Sequence, residues 1–256
     1  MRLGFLAFIF SLASLTLFWG VPALAQGPAA GIGLSPATIE EAVEPGGVYT
    51  YDVSVTNLSN TSQTYYFFTR DISGVEPGGV PVFADENTEK TGFELSTWVT
   101  LGVEELTIEA GQQNVVPVTI TVPENASPGS HFGGMFTSIE PPKLRSIGAA
   151  VGYEVATILS MRVAGDVIEN AQIRSFATEN YIHSESKIDF MARVENKGNT
   201  LIRPVGPLEV YNMFGKRVAL ITFNDTQAGV FPFTNRDFTV RWTDEGPGFG
   251  KYEAVL

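Results

Sequence analysis

Beyond residue 26, apolar and polar residues alternate with a period of two, the pattern of strands with one buried face. Tyr49-Thr50-Tyr51-Asp52-Val53-Ser54-Val55-Thr56 places Tyr49, Tyr51, Val53 and Val55 together. Val115-Val116-Pro117-Val118-Thr119-Ile120-Thr121-Val122 does the same for Val116, Val118, Ile120 and Val122. Turn chemistry separates such runs: Glu44-Pro45-Gly46-Gly47, Asn57-Leu58-Ser59-Asn60, Glu76-Pro77-Gly78-Gly79, Glu109-Ala110-Gly111 and Ser127-Pro128-Gly129. No apolar face repeats at helical spacing for more than about two turns. The pattern predicts an all-β protein.

A second series of strands begins after Gly165-Asp166. Strands are predicted over 168–176 and 187–195, the latter with Ile188, Phe190, Ala192 and Val194 on one face. A turn at Asn196-Lys197-Gly198-Asn199 follows, then strands over 207–211, 217–223 and 236–242. Val53-Ser54-Val55-Thr56-Asn57 and Ala192-Arg193-Val194-Glu195-Asn196 share one plan, a strand ending in Asn at a turn. The halves therefore look duplicated in pattern. Strands with one apolar face must stack on a second sheet, so two tandem immunoglobulin-like β-sandwiches are predicted, over 26–166 and 167–256.

Gly250-Lys251-Tyr252-Glu253-Ala254 has the form of a tyrosine corner, with Ala254 where antibody domains hold Cys. In the first half Gly129-Ser130-His131-Phe132-Gly133 stands at the corresponding place. His131 there is expected to hydrogen-bond a nearby carbonyl as the corner tyrosine would. If Tyr252 opens a penultimate strand, the second sandwich reaches Leu256 without its last one. The expectation is that the chain continues into a closing strand and a membrane or wall anchor, or borrows a strand from a partner.

Residues 1–25 read as a targeting segment: Arg2, an uncharged apolar run from Leu3 to Trp19, and Ala23-Leu24-Ala25 as a cleavage site. The competing reading is an uncleaved anchor; no Cys follows the run, which excludes a lipoprotein. The protein is expected to be exported, to the cell surface, the wall or the periplasm. With no cysteine and two histidines, Cys/His zinc sites, Cys nucleophiles and disulfide staples are excluded. Lys and Arg total 16 against 28 Asp and Glu, a net charge of -12, which argues against a nucleic-acid partner. His131 and His183 belong to no metal or nucleophile motif, and the acids at Asp85-Glu86-Asn87 and Asp244-Glu245 sit in turn contexts. No enzyme activity, cofactor or metal is expected.

Leu34-Ser35-Pro36-Ala37, Glu44-Pro45-Gly46-Gly47 leading into Val53-Ser54-Val55-Thr56-Asn57, Val122-Pro123-Glu124-Asn125-Ala126-Ser127-Pro128-Gly129 and Gly133-Gly134-Met135-Phe136 carry a resemblance. Over roughly 31–165 the chain resembles the N-terminal domain of bacterial WxL-interacting surface proteins. That resemblance implies a peptidoglycan-binding immunoglobulin-like domain followed by a partner-binding one and, usually, a C-terminal membrane helix; no run after Ala25, up to Leu256, approaches the ~20 apolar residues such a helix needs. The signal segment, the two sandwiches and the length also resemble the periplasmic pilus chaperones. These clamp a subunit's C-terminal carboxylate with an Arg and a Lys and donate a strand to it. Here the predicted first strand, 31–39, contains no basic residue, and Arg162, on the strand predicted over 148–163, is the one partial match.

Four residues stand out as candidate ligand contacts. In Tyr65-Tyr66-Phe67-Phe68, alternate side chains face opposite ways, so one pair enters the core. The other, Tyr66 and Phe68, is either covered by the chain itself or free to stack on sugar rings. The segment over 73–96, mostly of turn composition, is a candidate binding loop or cover. Lys143 and Arg145, after Pro141-Pro142, form a basic spot in an acidic chain, suited to an anionic wall polymer or simply solvated. The expectation is a non-enzymatic envelope protein that binds peptidoglycan, a glycan or another surface protein. The alternatives are a pilus-type periplasmic chaperone and a structural stalk.

Overall fold

The computed structural model describes residues 31–76, 79–84, 88–142, 153–183, 187–243 and 250–256. The chain is all-β. In the first half the strands are β1 (Ile32–Ser35), β2 (Thr38–Val43), β3 (Val48–Asn57), β4 (Gln63–Val75), β5 (Pro81–Phe83), β6 (Val99–Leu101), β7 (Glu105–Ile108), β8 (Gln113–Thr121), β9 (Gly129–Ser138) and β10 (Glu154–Val163). The second half adds β11 (Ala171–Thr178), β12 (Lys187–Asn196), β13 (Gly206–Asn212), β14 (Arg217–Phe223), β15 (Asn235–Thr243) and β16 (Tyr252–Val255).

Two sheets make the first sandwich: β1-β3-β8-β6, and β2-β10-β9-β4-β5 with β7 also on β4. Between them lie the apolar faces read from the sequence: Val53 and Val55 of β3, Val116, Val118 and Ile120 of β8, Tyr65 and Phe67 of β4, and Leu159, Met161 and Val163 of β10. Fully burying one such aliphatic or aromatic side chain stabilises by about 1.5–3 kcal/mol, and without disulfides these cores hold by burial. The second sandwich stacks β11-β12-β15 on β14-β13-β16. Phe190, Leu208, Val210 and Trp242 share one cluster there, and Ala192, Val194, Phe223, Val230 and Phe238 another. Tyr252 opens β16, the outer strand of its sheet, and lies edge-on to Trp242 at 5.3 Å.

The repeated strand-then-Asn plan has a structural basis. Asn57 is fully buried and donates through Nδ2 to Thr61 O and Ile108 O, both at 2.8 Å, while its Oδ1 accepts from Ser59 N and from the Tyr65 hydroxyl, both at 2.9 Å. Asn196, equally buried, donates to Thr200 O (2.7 Å) and Val230 O (2.9 Å) and accepts from Gly198 N (2.9 Å). Each amide closes its own five-residue turn and ties it to a distant segment. Asn224 repeats the device, donating to Pro204 O and Ala228 O at 2.9 Å.

Three boundaries differ from the sequence reading. The predicted first strand over 31–39 is two strands in different sheets, because the chain crosses at Pro36, which has no N–H to continue a ladder. The segment over 73–96 is not all loop: β4 runs on to Val75 and pairs with β5. The strand expected from residue 148 is described from Glu154.

Candidate functional site

β10 pairs with β9 along its whole length, from Glu154↔Ser138 to Val163↔Gly129. On its other flank β2 pairs with it, in parallel, only from Ile158↔Thr38 to Val163↔Val43. The reason is the crossing at Pro36: β1 leaves for the opposite sheet and pairs with β3. The last links on that flank are Ile158 N to Ala37 O and the Thr157 hydroxyl to Pro36 O, both 2.9 Å. β2 stops short of the start of β10, so Ala156 has no backbone partner on this flank among the described residues. A sheet edge of this kind presents N–H and C=O groups that can pair with another strand. Val155 shares the core-side parity of Thr157, Leu159 and Met161, yet it is 38 % exposed, and Tyr153 just before it is 63 % exposed. Two exposed apolar side chains therefore stand at the start of this edge.

The outer face of the same sheet carries the aromatic residues. Phe68, Phe136 and Ala156 are cross-strand neighbours on β4, β9 and β10. Phe68 and Phe136 stack at 5.4 Å, and Phe83 of β5 meets Phe136 edge-on at 4.6 Å. A Cβ at Gly134 would stand 3.1 Å from both Phe136 and Phe83, so glycine leaves room for that contact. The Arg70 guanidinium lies 5.0 Å from the centres of both Phe68 and Phe136 and reaches Glu154 at 3.5 Å. Tyr66 aligns with Ser138 and Glu154 in the next row.

Tyr66 and Phe68 thus share the outer face, half-buried, while Tyr65 and Phe67 enter the core. Phe68 is not a bare platform, because Arg70 lies over its ring. Lys143 and Arg145, like the targeting segment 1–25, fall outside the described residues. Sequence reading missed Arg70, Phe136 and Glu154. The first had a signal, since the alternation Tyr66, Phe68 continues to residue 70; the cross-strand pair had none. Arg162, the partial match for a carboxylate clamp, is paired with Glu169 at 2.8 Å. On β2 the neighbouring charge is Glu40, held by Arg203 of the second sandwich at 2.8 Å.

His131 behaves as a corner residue: Nε2 lies 2.9 Å from Ser127 O, Nδ1 3.3 Å from Glu94 O, and Trp98 packs on the ring at 4.4 Å. It borders a hollow of about 260 Å³ whose acids are already engaged. Asp71 accepts from Leu95 N (2.8 Å) and from Ser96 N and Oγ (both 2.6 Å). Burial pushes the Glu94 carboxyl up, but backbone N–H groups of Glu94, Thr91 and Gly92 and the Thr91 hydroxyl outweigh it and hold the group below the usual carboxylate range.

The sandwiches meet along the lower part of the same outer face. Phe132 packs on Phe231 at 4.3 Å, and Phe93 on Phe233 at 5.8 Å. Ser130 N donates to Asn199 O (2.9 Å), and the Ser130 hydroxyl accepts from Leu201 N (2.9 Å). Asn199 Nδ2 donates to Pro128 O (3.1 Å) and Asp166 O (3.0 Å), while its Oδ1 accepts from Ile168 N (2.7 Å). Gly129 has φ +114°, and a Cβ there would lie 2.2 Å from Asn199 O.

No family model and no curated protein matches the chain. Solved structures are similar to it at low identity. A chain from a chaperone–tip adhesin complex of CFA/I fimbriae biogenesis is 13% identical, with 88% of this chain and 97% of that one covered and a TM-score of 0.46. The class 5 fimbriae chaperone CfaA is 12% identical over 88% and 98%, with a TM-score of 0.44. A chain of the CsuC–CsuE chaperone–tip pre-assembly complex of Acinetobacter baumannii is 10% identical over 82% and 91%, with a TM-score of 0.41. No WxL-interacting surface protein stands among these three structures, which come from fimbrial chaperones or their complexes.

Proposed function

We propose that this is an exported, non-enzymatic protein of the periplasm that pairs the open flank of β10 with an extended segment of another exported protein, in the manner of a pilus-assembly chaperone. The observation that carries the reading is the flank of Ala156, which β2 does not reach and which has no backbone partner among the described residues, beside the exposed apolar side chains of Tyr153 and Val155. Strand addition takes its affinity from main-chain hydrogen bonds and its selectivity from alternate side chains. The Arg–Lys carboxylate clamp is no part of the proposal, because Arg162 and Glu40 are committed to Glu169 and Arg203. Wall binding, the other expectation, would rest on Tyr66 and Phe68, and Arg70 already occupies the Phe68 face a sugar would need.

The test is site-specific photo-crosslinking in the native host, with a benzophenone amino acid at Val155 and, as control, at exposed Val115 on the opposite sheet. The expected result is an adduct with one exported protein at position 155 only. Adducts at neither position, together with pelleting of the protein on purified sacculi, would overturn the reading in favour of wall binding.

A further inference from the structure

We infer that β14 is a self-pairing edge, through which two copies of this protein join their second sandwiches in one continuous sheet. β14 is the outer strand of its sheet, seven residues long, and pairs with β13 alone. Among the described residues no backbone group bonds to its other flank. Ala219, Ile221 and Phe223 pack into the core, yet the solvent side is apolar as well: Val218 is 42 % and Leu220 59 % exposed. A long apolar edge is a template for another strand, and native edges are usually short, broken or charged. Other edges of this protein follow that rule. β1, β5, β6 and β16 have three or four residues, β2 carries Glu40 and Glu41, and β11 is interrupted by a register shift at Arg174. The one charge on β14, Arg217 at its first position, is held by Glu209 of β13.

The backbone of β13 decides which groups face outward. Asn212 N donates to Lys216 O at 3.0 Å, and bonding direction alternates along a strand, so Val210 and Leu208 also turn their backbone groups to β14. The extra residue at the register shift, Val218, is on β14, so the alternation of β13 is unbroken. Pro207, opposite Thr222, agrees, having no N–H to give. Leu220 and Thr222, opposite Glu209 and Pro207, therefore direct N–H and C=O to the free flank. Charge then selects the occupant. Lys216 stands just before β14 and Asp225 shortly after it, both exposed and, among the described residues, in no ion pair. A strand positive before its start and negative beyond its end complements itself when antiparallel and opposes itself when parallel. Full overlap of two β14 strands puts the twofold axis at Leu220. The two Leu220 residues then exchange backbone bonds and cover each other, and each Lys216 comes beside Asn224 and Asp225 of the second copy.

Sedimentation velocity of the full exported chain over a concentration series tests this; β14 and β10 lie in different sandwiches, so the function proposed above is tested separately. Wild type should pass from monomer to dimer as concentration rises. Leu220→Pro removes an N–H that faces solvent in the monomer, so it should keep the wild-type melting temperature and stay monomeric throughout. Lys216→Asp and Asp225→Lys, which set like charges against each other across the axis, should each weaken the dimer by about tenfold, and the two together should restore it. Within one chain these positions lie at opposite ends of β14, so the rescue can act only between copies. A wild type that stays monomeric at every concentration would overturn the inference, and so would a dimer that ignores the single charge changes or is not rescued by the double one. If Leu220→Pro unfolds the domain, the charge-exchange series decides alone. A photo-crosslinker at position 220 that captures a different exported protein, and no second copy, overturns it in favour of that other occupant.

Discussion

Replacing Asn57 by Ala should be among the most damaging single changes in the first sandwich, out of proportion to the size of the side chain removed. The buried side chain makes five bonds: two donated to Thr61 O and Ile108 O, three accepted from Ser59 N, the Ser59 hydroxyl and the Tyr65 hydroxyl. Asn57 and Ile108 are fully buried and Tyr65 is 1 % exposed, so at least one carbonyl and one hydroxyl lose a partner where water cannot replace it. Each orphaned buried group costs about 1–3 kcal/mol, so the loss should come to about 3–5 kcal/mol. Native domains have about 5–15 kcal/mol in all. With a urea slope of about 2 kcal/mol/M, the midpoint should fall by about 2 M. In a Trp242→Phe background of the processed chain, fluorescence of Trp98 follows the first sandwich. The Tyr65→Phe change supplies the control: alone it should cost about 1 kcal/mol, but on top of Asn57→Ala it should cost nothing or restore stability, since no hydroxyl is left stranded. A loss below about 1 kcal/mol, or strict additivity of the two changes, would refute the reasoning.

At the elbow, Asn199→Ala removes the bonds to Pro128 O, Asp166 O and Ile168 N, and should split one melting transition into two in calorimetry. Gly129→Ala should split it more widely, because the new Cβ meets Asn199 O at 2.2 Å in a backbone conformation that disfavours side chains. Glu94 gives the protein an acid-sensitive element. Its folded carboxyl is held below the usual range, so its stabilisation is complete above about pH 4.3 and is lost as pH falls through the depressed folded value. The stability gap between wild type and Glu94→Gln, measured by urea titration, should therefore narrow from pH 5 to pH 3. Gly134→Val should push Phe83 off Phe136 and show as a changed near-ultraviolet circular dichroism signal with the far-ultraviolet signal intact.

Much of the sandwich architecture was legible because most of its strands bury one face and leave the other to solvent. The alternation in β3, β8 and β12 is the alternation of core and solvent, and the matching Asn57 and Asn196 marked corresponding corners. β9 was illegible as a strand for the opposite reason. Gly-Ser-His-Phe-Gly-Gly-Met-Phe-Thr-Ser is buried at all ten positions, with Phe132 covered by the second sandwich and Phe136 by Arg70, Phe68 and Phe83, so no polar face remains to set a rhythm. The candidate site was half legible. Tyr66 and Phe68 could be assigned a common face from parity alone, but the open flank of β10 depends on where β2 stops. That stop follows from a crossing at Pro36, more than a hundred residues away in sequence.

The buried asparagines also bear on how this protein can be made. Asn57-Leu58-Ser59 and Asn224-Asp225-Thr226 both fit the acceptor pattern for N-linked glycosylation, which requires a surface position. In a secretory pathway that attaches glycans before folding is complete, a sugar on either amide would take away Nδ2 donors to backbone carbonyls and place a bulky polar group where the fold excludes solvent. A eukaryotic secretion host would thus turn the turn-closing amides into obstacles to folding, while a host without that modification leaves them free to close the loops.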